Sequence, residues 1–319
     1  MNKKQVIIIG AGPGGLTSAM ILAHRGFKVT VFEKEKELGG RNAPIHLDGY
    51  TFDTGPTFLM MEYVLREMFQ EAGRNAEDYL TFVKLDPLYR LKFEDFEFLP
   101  SYDREKTKKQ IKQRFPGNEE GLDKFLRTEA ARFEKLYPCL CKDYGSLTAF
   151  LDPVLIKAIP YLSLGRTIFD TLGDYYQEDR VKICFTFQAK YLGMSPWECP
   201  ALFTMLPYLE HAFGIYHVMG GLTSISQAMA KVVEEQGGEI IRGAPVKQLV
   251  LKGREVKGVE LENGEKVHGD DVIINADFAY AATHLVPQGT LKKYSAANIQ
   301  KKRFSCSIAF FTPNRGAMS

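Results

Sequence analysis

The sequence lacks any long hydrophobic run of the kind that crosses a bilayer. No stretch of about 18 apolar residues is free of charge, because Asp152, Lys157, Glu198 and Glu210 interrupt the most apolar segments and prolines break others. An integral membrane protein is therefore not expected. Peripheral contact with a membrane is left open.

Cysteine is scarce, and neither sign of charge dominates. The cysteines are odd in number and include no Cys-x-x-Cys, which argues against a disulfide framework or a zinc cluster. The six histidines show no ligand spacing, and Lys+Arg 41 nearly cancels Asp+Glu 39, so no global field recruits nucleic acid. We expect a cytoplasmic protein with reduced thiols, no metal and no nucleic-acid partner.

A glycine-rich turn stands near the start of the chain. The β-branched run from Gln5 to Ile9 predicts a strand, and Gly10-Ala-Gly-Pro-Gly-Gly15 follows it directly as a G-x-G-x-x-G motif. A helix to about Arg25 and a strand from Lys28 to Phe32 complete a β-α-β unit. In such a unit the first glycine makes the turn, the second admits the pyrophosphate and the third lets helix pack on strand. The predicted cofactor contacts here are Gly10, Ala11, Gly12, Gly14 and Gly15.

A carboxylate follows the second strand. Glu33 stands 18 residues after Gly15, close to the spacing at which an acidic side chain accepts hydrogen bonds from the ribose of adenosine. A glutamate there disfavours a 2′-phosphate, so NADP is the least expected dinucleotide.

A second glycine-rich loop distinguishes FAD from NAD. Gly39-Gly40-Arg41 comes soon after the second strand, and the segment from Gly49 to Pro56 follows it. Glycines let backbone approach an extended cofactor, and the forked guanidinium of Arg41 suits its pyrophosphate. An NAD site needs no such loop, so FAD is the predicted cofactor.

These motifs together resemble those of the FAD-dependent oxidoreductases that include amine oxidases and carotenoid desaturases. Three further segments are similar to bacterial-type phytoene desaturases: Tyr191-Leu-Gly with Ser195-Pro, Gly214-x-Tyr-x-x-x-Gly-Gly221, and Asn275-Ala-Asp277. The resemblance covers residues 5 to about 310. It implies hydride abstraction from a saturated carbon pair of a long apolar polyene onto flavin, in carotenoid biosynthesis. It also implies further cofactor contacts at Lys34, Gly40, Gly55, Pro56, Val246 and Asp277.

Alternatives to this function stay open. An amine-oxidase-like flavoenzyme is the nearest rival, and a catalytically inactive remnant is the other. No second G-x-G-x-x-G motif is present in the sequence, so oxygen or a quinone is the expected electron acceptor. No side chain is assigned a catalytic role, because flavin itself carries the difficult chemistry.

The predicted fold class is α/β, with a Rossmann-like FAD-binding domain and an inserted α+β substrate domain. The parallel sheet has the order 3-2-1-4, from strands at residues 6–9, 29–32, 239–242 and 272–275, with the fifth strand missing. Residues 1–83 and 215–285 form the FAD-binding domain, and residues 84–214 with 286–319 form the substrate domain. Family members continue past this length, so we expect the chain to be truncated inside a strand near Phe310.

Two segments of the substrate domain carry alternatives of their own. The basic run from Arg104 to Arg114 predicts a solvated helix face in preference to contact with anionic lipid. The proline-interrupted apolar stretch from Leu147 to Leu164 predicts either a helical core or a patch for peripheral membrane contact, through which a lipid-soluble substrate enters.

Overall fold

A computed structural model of the chain describes residues 3–302, with the side chain of Leu147 excepted. These residues divide into two compact units. Unit 1 comprises residues 3–83 and 216–302, and unit 2 comprises residues 84–215. The predicted strand near Phe310 lies outside the described residues.

The regular elements are named here in chain order. The strands are β1 (Gln5–Ile9), β2 (Lys28–Glu33), β3 (Pro44–Leu47), β4 (Tyr50–Asp53), β5 (Leu59–Met60), β6 (Phe82–Lys84), β7 (Leu91–Lys92), β8 (Glu97–Phe98), β9 (Ile215–Val218), β10 (Glu239–Arg242), β11 (Val246–Lys252), β12 (Glu255–Leu261), β13 (Lys266–His268) and β14 (Asp271–Ile274). The α-helices are α1 (Pro13–His24), α2 (Glu62–Glu71), α3 (Arg104–Arg114), α4 (Glu119–Leu140), α5 (Pro153–Ala158), α6 (Ile168–Leu172), α7 (Asp179–Ile183), α8 (Met205–Phe213), α9 (Thr223–Glu235), α10 (Phe278–Tyr280) and α11 (Ala296–Gln300). Short 3₁₀ or π segments cover Gly40–Asn42, Ala76–Asp78, Leu147–Leu151, Ile159–Tyr161, Phe187–Leu192, Ala201–Thr204, Ala281–Leu285 and Lys292–Tyr294.

The centre of unit 1 is a four-stranded parallel sheet of order β10-β2-β1-β14. Ile9 of β1 stands opposite Phe32 of β2 on one side and Ile274 of β14 on the other. The carboxyl ends of these three strands therefore meet at one edge. The predicted α/β class and the 3-2-1-4 strand order are confirmed.

Both faces of this sheet are covered, which explains the continuous apolar character of β1 and β2. Val6 and Ile8 face a core shared with α1, α2 and α9. Ile7 and Ile9 face the opposite way, into a core shared with the antiparallel sheet β11-β12-β13. Because successive side chains alternate across a strand, each face of β1 receives a separate set of isoleucine and valine side chains.

Unit 2 is mainly helical and has an aromatic core. Phe185 packs at 5.6 Å between ring centroids from Phe125 and stacks at 5.0 Å on Tyr176. Unit 2 also contains the short hairpin β7-β8, in which Leu91 stands opposite Phe98. The tilted and stacked ring contacts of Phe185 belong to a type that contributes roughly 0.5–1.5 kcal/mol each beyond its buried area.

The basic run on α3 is paired with acidic side chains of unit 2. The ammonium of Lys106 lies 2.9 Å from Asp86, and that of Lys108 lies 2.6 Å from Asp123. Arg104 pairs with the same Asp123, and the pKa of that carboxyl is lowered to about 2 by these hydrogen bonds. These pairings agree with a solvated, ion-paired helix face.

Unit 1 extends further along the chain than the sequence predicts. Residues 286–302 belong to unit 1, whereas the predicted division assigned them to the substrate domain. One contact between these residues and the preceding part of unit 1 is the edge-on packing of Phe278 against Tyr294, with the ring centroids 4.9 Å apart. Among the helices at residues 3–302, none is long and apolar enough to traverse a bilayer.

Candidate dinucleotide site

The turn between β1 and α1 is tight and glycine-dependent. Gly10 has φ +97°, and its N–H donates to the carbonyl of Phe32 at 2.8 Å. A Cβ on Gly10 would overlap the carbonyl oxygen of Asn275, and a Cβ on Gly15 would overlap the carbonyl oxygen of Gly10. The predicted roles of the first and third glycines, turning the chain and packing helix on strand, therefore have a direct geometric basis.

The N-terminus of α1 carries no side-chain cap among the described residues. Gly12 is the N-cap residue, Pro13 occupies the first helical position, and the first turn contains no acidic side chain. The orphan amides of a first turn and the positive end of the helix dipole together favour an anion. The turn thus offers a phosphate group both hydrogen-bond donors and a favourable field.

Glu33 is buried beside this turn at the end of β2. Only 5% of the residue is exposed. One carboxylate oxygen accepts from the N–H of Ala11 at 2.7 Å, and the other accepts from the N–H of Glu35 at 3.0 Å. Each oxygen has a further lone pair, so the carboxylate can hold the turn and accept a ribose hydroxyl as well. Lys34 is exposed and lies 3.5 Å from Glu35.

The second glycine loop packs directly on the first. The N–H of Gly39 donates to the carbonyl of Ala11 at 2.9 Å. A Cβ on Gly40 would stand 3.4 Å from the Cα of Gly12. The two loops therefore approach to van der Waals contact, and the left-handed backbone of Gly39 (φ +114°) and Gly40 (φ +54°) favours glycine at both positions.

Arg41 and Asp277 face each other beside these loops. The guanidinium of Arg41 is 89% exposed and lies 3.6 Å from the carboxylate of Asp277. Asp277 also caps α10, accepting from the N–H groups of Ala279 at 3.0 Å and Tyr280 at 3.1 Å. Arg41 is therefore available to a phosphate while its charge is balanced by a fixed carboxylate.

The remaining predicted contacts differ in their surroundings. Gly55 packs so closely on Arg41 that a Cβ would overlap the Arg41 carbonyl oxygen, and Pro56 next to it is exposed. Val246 begins β11 and is buried in the core that also contains Phe32. A role in cofactor binding for these three residues stays a prediction.

Asn275 is a residue of this site that the sequence reasoning did not assign to it. It follows β14, and its side-chain amide donates to the carbonyl of Gly10 at 3.3 Å. The available signal was a polar residue at the carboxyl end of a parallel strand, where α/β proteins bind ligands. The sequence alone does not reveal that this side chain turns back onto the glycine motif.

Comparison with known proteins assigns a family to this arrangement. A family model described as flavin containing amine oxidoreductase matches residues 13–306. The chain belongs to this family. The site fits an extended dinucleotide, because it combines a buried carboxylate, an uncapped helix N-terminus and two glycine loops packed on each other. The predicted cofactor, FAD, is such a dinucleotide, and the family match supports it.

Curated relatives extend the resemblance to carotenoid desaturases. The chain is 51% identical over 306 residues to a 4,4'-diapophytoene desaturase (4,4'-diapolycopene-forming) from Methylomonas sp, covering 96% of this chain and 60% of that protein. It is 35% identical over 294 residues to a zeta-carotene-forming phytoene desaturase from Myxococcus xanthus, covering 91% and 57%. The resemblance predicted from the motifs is confirmed. The chain spans roughly three fifths of the length of these relatives.

Solved structures support the fold of this family. An oxidoreductase from Methanosarcina mazei aligns with a TM-score of 0.60 at 18% identity, covering 93% of this chain and 64% of that one. Putrescine oxidase bound to putrescine aligns with a TM-score of 0.56 at 16% identity, covering 89% and 60%. At these identities the likeness concerns the fold alone.

Proposed function

We propose that this protein is an FAD-dependent oxidoreductase that desaturates a long apolar polyene of the phytoene or carotenoid kind. The observation that carries the substrate class is the 51% identity over 306 residues to a diapophytoene desaturase. The cofactor assignment rests on the buried carboxylate of Glu33 and the uncapped first turn of α1. Bound FAD supplies the ring that accepts a hydride, and the protein supplies binding and orientation.

In this proposal, different residues of unit 1 bind different parts of FAD. The turn from Gly10 to Gly15 holds the pyrophosphate through backbone N–H groups, and Arg41 adds a charged contact from the second loop. Glu33 accepts hydrogen bonds from the ribose of the adenosine half. Asp277 balances Arg41, at 3.6 Å, so that its charge is not left unpaired.

A reconstitution assay tests this function. The purified chain, loaded with FAD, is given 4,4'-diapophytoene or phytoene in phosphatidylcholine vesicles, with either oxygen or a quinone as acceptor. We expect longer-wavelength absorption from new conjugated double bonds, and the two acceptors compared at equal concentration identify the one used. Putrescine serves as the contrasting substrate. Oxidation of the amine with none of the polyene would establish the amine-oxidase alternative, and FAD binding without turnover of either would favour an inactive chain.

We also propose that unit 2 contacts the membrane that dissolves the substrate, from a cytoplasmic location. Six large apolar side chains within residues 140–164 are about half exposed or more, namely Leu140, Phe150, Leu151, Ile156, Ile159 and Leu164. Apolar side chains concentrated in one segment are unusual on a free surface and suit partial insertion among acyl chains. A polyene is carried in that same apolar phase.

Vesicle flotation measures this contact. The double variant Leu151→Asp/Ile156→Asp is expected to bind phosphatidylcholine vesicles at least about tenfold more weakly, because two apolar contacts are replaced by charges. The matched control is Leu291→Asp, which changes a 39%-exposed leucine of unit 1. Equal flotation of the double variant and the parent chain would remove this segment from the membrane contact.

The ribose assignment is tested by Glu33→Gln. The glutamine keeps the shape of the side chain but loses its charge. Its NH₂ group replaces one carboxylate oxygen and cannot accept the hydrogen bond that this oxygen now accepts from a backbone N–H. We expect the Kd for FAD to rise between about tenfold and a hundredfold, since charge-assisted hydrogen bonds are roughly twice as strong as neutral ones. Flavin fluorescence quenching gives the Kd. Glu37→Gln, an exposed neighbour, is the control, and an unchanged Kd in Glu33→Gln would show that another group holds the ribose.

A further inference from the structure

The side chain of Asn275 lies inside the glycine turn, although the residue is distant from it in sequence. Its backbone N–H donates to the carbonyl of Ile9 at 2.8 Å, which extends the pairing of β1 with β14 by one residue. The side chain then reaches the turn itself, and Nδ2 donates to the carbonyl of Gly10 at 3.3 Å. The end of β14 and the start of the turn are therefore joined by both backbone and side chain.

The same amide occupies the space that side chains at neighbouring positions of the motif would need. A Cβ on Gly14 would stand 2.8 Å from Oδ1 of Asn275, and a Cβ on Gly12 would stand 3.1 Å from Nδ2. A Cβ on Gly15 would also stand 3.0 Å from Nδ2 of Asn275, but its nearest contact would be an overlap with the backbone carbonyl oxygen of Gly10. Glycine at 15 is thus required by the backbone of the turn, whereas a side chain at 14 would compete for space with the Asn275 amide.

We infer that Asn275 is a positioning residue for the dinucleotide phosphates. Its amide fills the turn and ties down the Gly10 carbonyl, which holds the free amides of the first turn of α1 in a fixed arrangement. Being neutral, it does so without placing a negative charge beside a pyrophosphate, as an aspartate would. This inference rests on the proposed FAD site and assigns one more residue to it.

Two single variants measure the contribution of Asn275. For Asn275→Ala we expect the Kd for FAD to rise roughly three- to tenfold, because one neutral hydrogen bond and the support of the turn are lost. For Asn275→Asp we expect a larger rise at low salt that shrinks as ionic strength increases, because the added charge is screened. Thermal unfolding without FAD serves as the readout of a purely structural role. A variant that lowers the unfolding temperature but leaves the Kd unchanged would overturn the inference.

A double-mutant comparison tests the geometry itself. In Gly14→Ala the new methyl group must push the Asn275 amide from Gly10, so Gly14→Ala and Asn275→Ala should weaken FAD binding by one shared effect. The double variant should then bind FAD about as well as Asn275→Ala alone. Gly15→Ala is the matched control, because its closest clash is with the backbone carbonyl of Gly10, and removal of the Asn275 amide cannot relieve that clash.

The outcomes separate this inference from the function on which it rests. Additive losses in Gly14→Ala/Asn275→Ala would contradict the role of Asn275 while the parent chain still binds FAD. Complete rescue of Gly15→Ala by Asn275→Ala, to the Kd of Asn275→Ala alone, would contradict it equally. A parent chain that binds no FAD at all would overturn the dinucleotide site, and the positioning role with it.

Discussion

Replacement of Arg132 by methionine is expected to lower the free energy of unfolding by about 3–5 kcal/mol, the cost of removing one partner of a buried ion pair. Arg132 is 6% exposed and Glu129 is fully buried. The guanidinium donates to both carboxylate oxygens of Glu129, at 2.9 and 3.0 Å, and to the hydroxyl of Ser163 at 2.9 Å. Methionine fills similar volume, so the loss measures the stranded carboxylate more than a cavity.

Within the described part of the chain, Arg132 is the cation that pairs with the Glu129 carboxylate, and no second one stands ready to replace it. Its remaining described partners are the hydroxyls of Tyr175 at 3.0 Å and Thr204 at 2.7 Å. Burial already raises the pKa of Glu129 while Arg132 opposes that rise. Without the arginine, Glu129 is expected to take up a proton more readily, so the destabilisation should be larger at high pH than at low pH.

Urea titration measures this change in the free energy of unfolding. Unfolding is followed by far-UV circular dichroism and by the fluorescence of Trp197, the one tryptophan in the sequence. The control is Arg166→Met, because Arg166 pairs with Asp174 at 2.7 Å while both side chains are close to half exposed. Exposed pairs typically contribute no more than about 1 kcal/mol. Similar losses in Arg132→Met and Arg166→Met would mean that burial of the first pair has no special cost.

The two units differ in how much of their structure the sequence predicts. In unit 1 the order of strand, glycine turn, helix and strand is local, so the residues from Gln5 to Glu33 indicate both the β-α-β unit and its phosphate turn. Strand β14, which pairs with β1, is distant from it in sequence. Its apolar run is readable, but the placement of Asn275 inside the turn depends on a tertiary contact that no local pattern carries.

In unit 2, what the sequence does not predict is which charged residues are buried. Glu129 and Arg132 stand three residues apart on α4, a spacing that is typical of an exposed ion pair on a helix surface. Both are buried, and Glu129 accepts hydrogen bonds from Thr204 and Tyr175, which lie far along the chain. Charged residues on an amphipathic helix are read as solvated because that is their usual state. Only the packing of distant segments distinguishes a buried polar network from a solvated face.

Glu210 is the second buried carboxyl of unit 2, and it should make stability depend on pH. It is fully buried on α8, accepts from Nε2 of Gln188 at 2.6 Å and from the hydroxyl of Tyr191 at 3.2 Å. Burial raises the pKa of this carboxyl to about 7, although both hydrogen bonds oppose the rise. Since the folded-state pKa lies above the unfolded one, the contribution to stability is complete at low pH and is lost as pH rises from about 4.5 through about 7.

Glu210→Gln is therefore expected to match the parent chain near pH 4 and to be more stable by about 3 kcal/mol at pH 8, since each unit of pKa shift corresponds to about 1.4 kcal/mol. The quantity to compare is the difference in free energy of unfolding between the two proteins at each pH, because the adjacent His211 makes that free energy change with pH in the opposite direction. Burial lowers the pKa of His211 to about 4, so its contribution is lost as pH falls from about 6.5. Urea titrations at half-unit steps from pH 4 to pH 8 give the difference, with Glu198→Gln as an exposed control. A difference that stays constant across this range would mean that the Glu210 carboxyl does not change its protonation there.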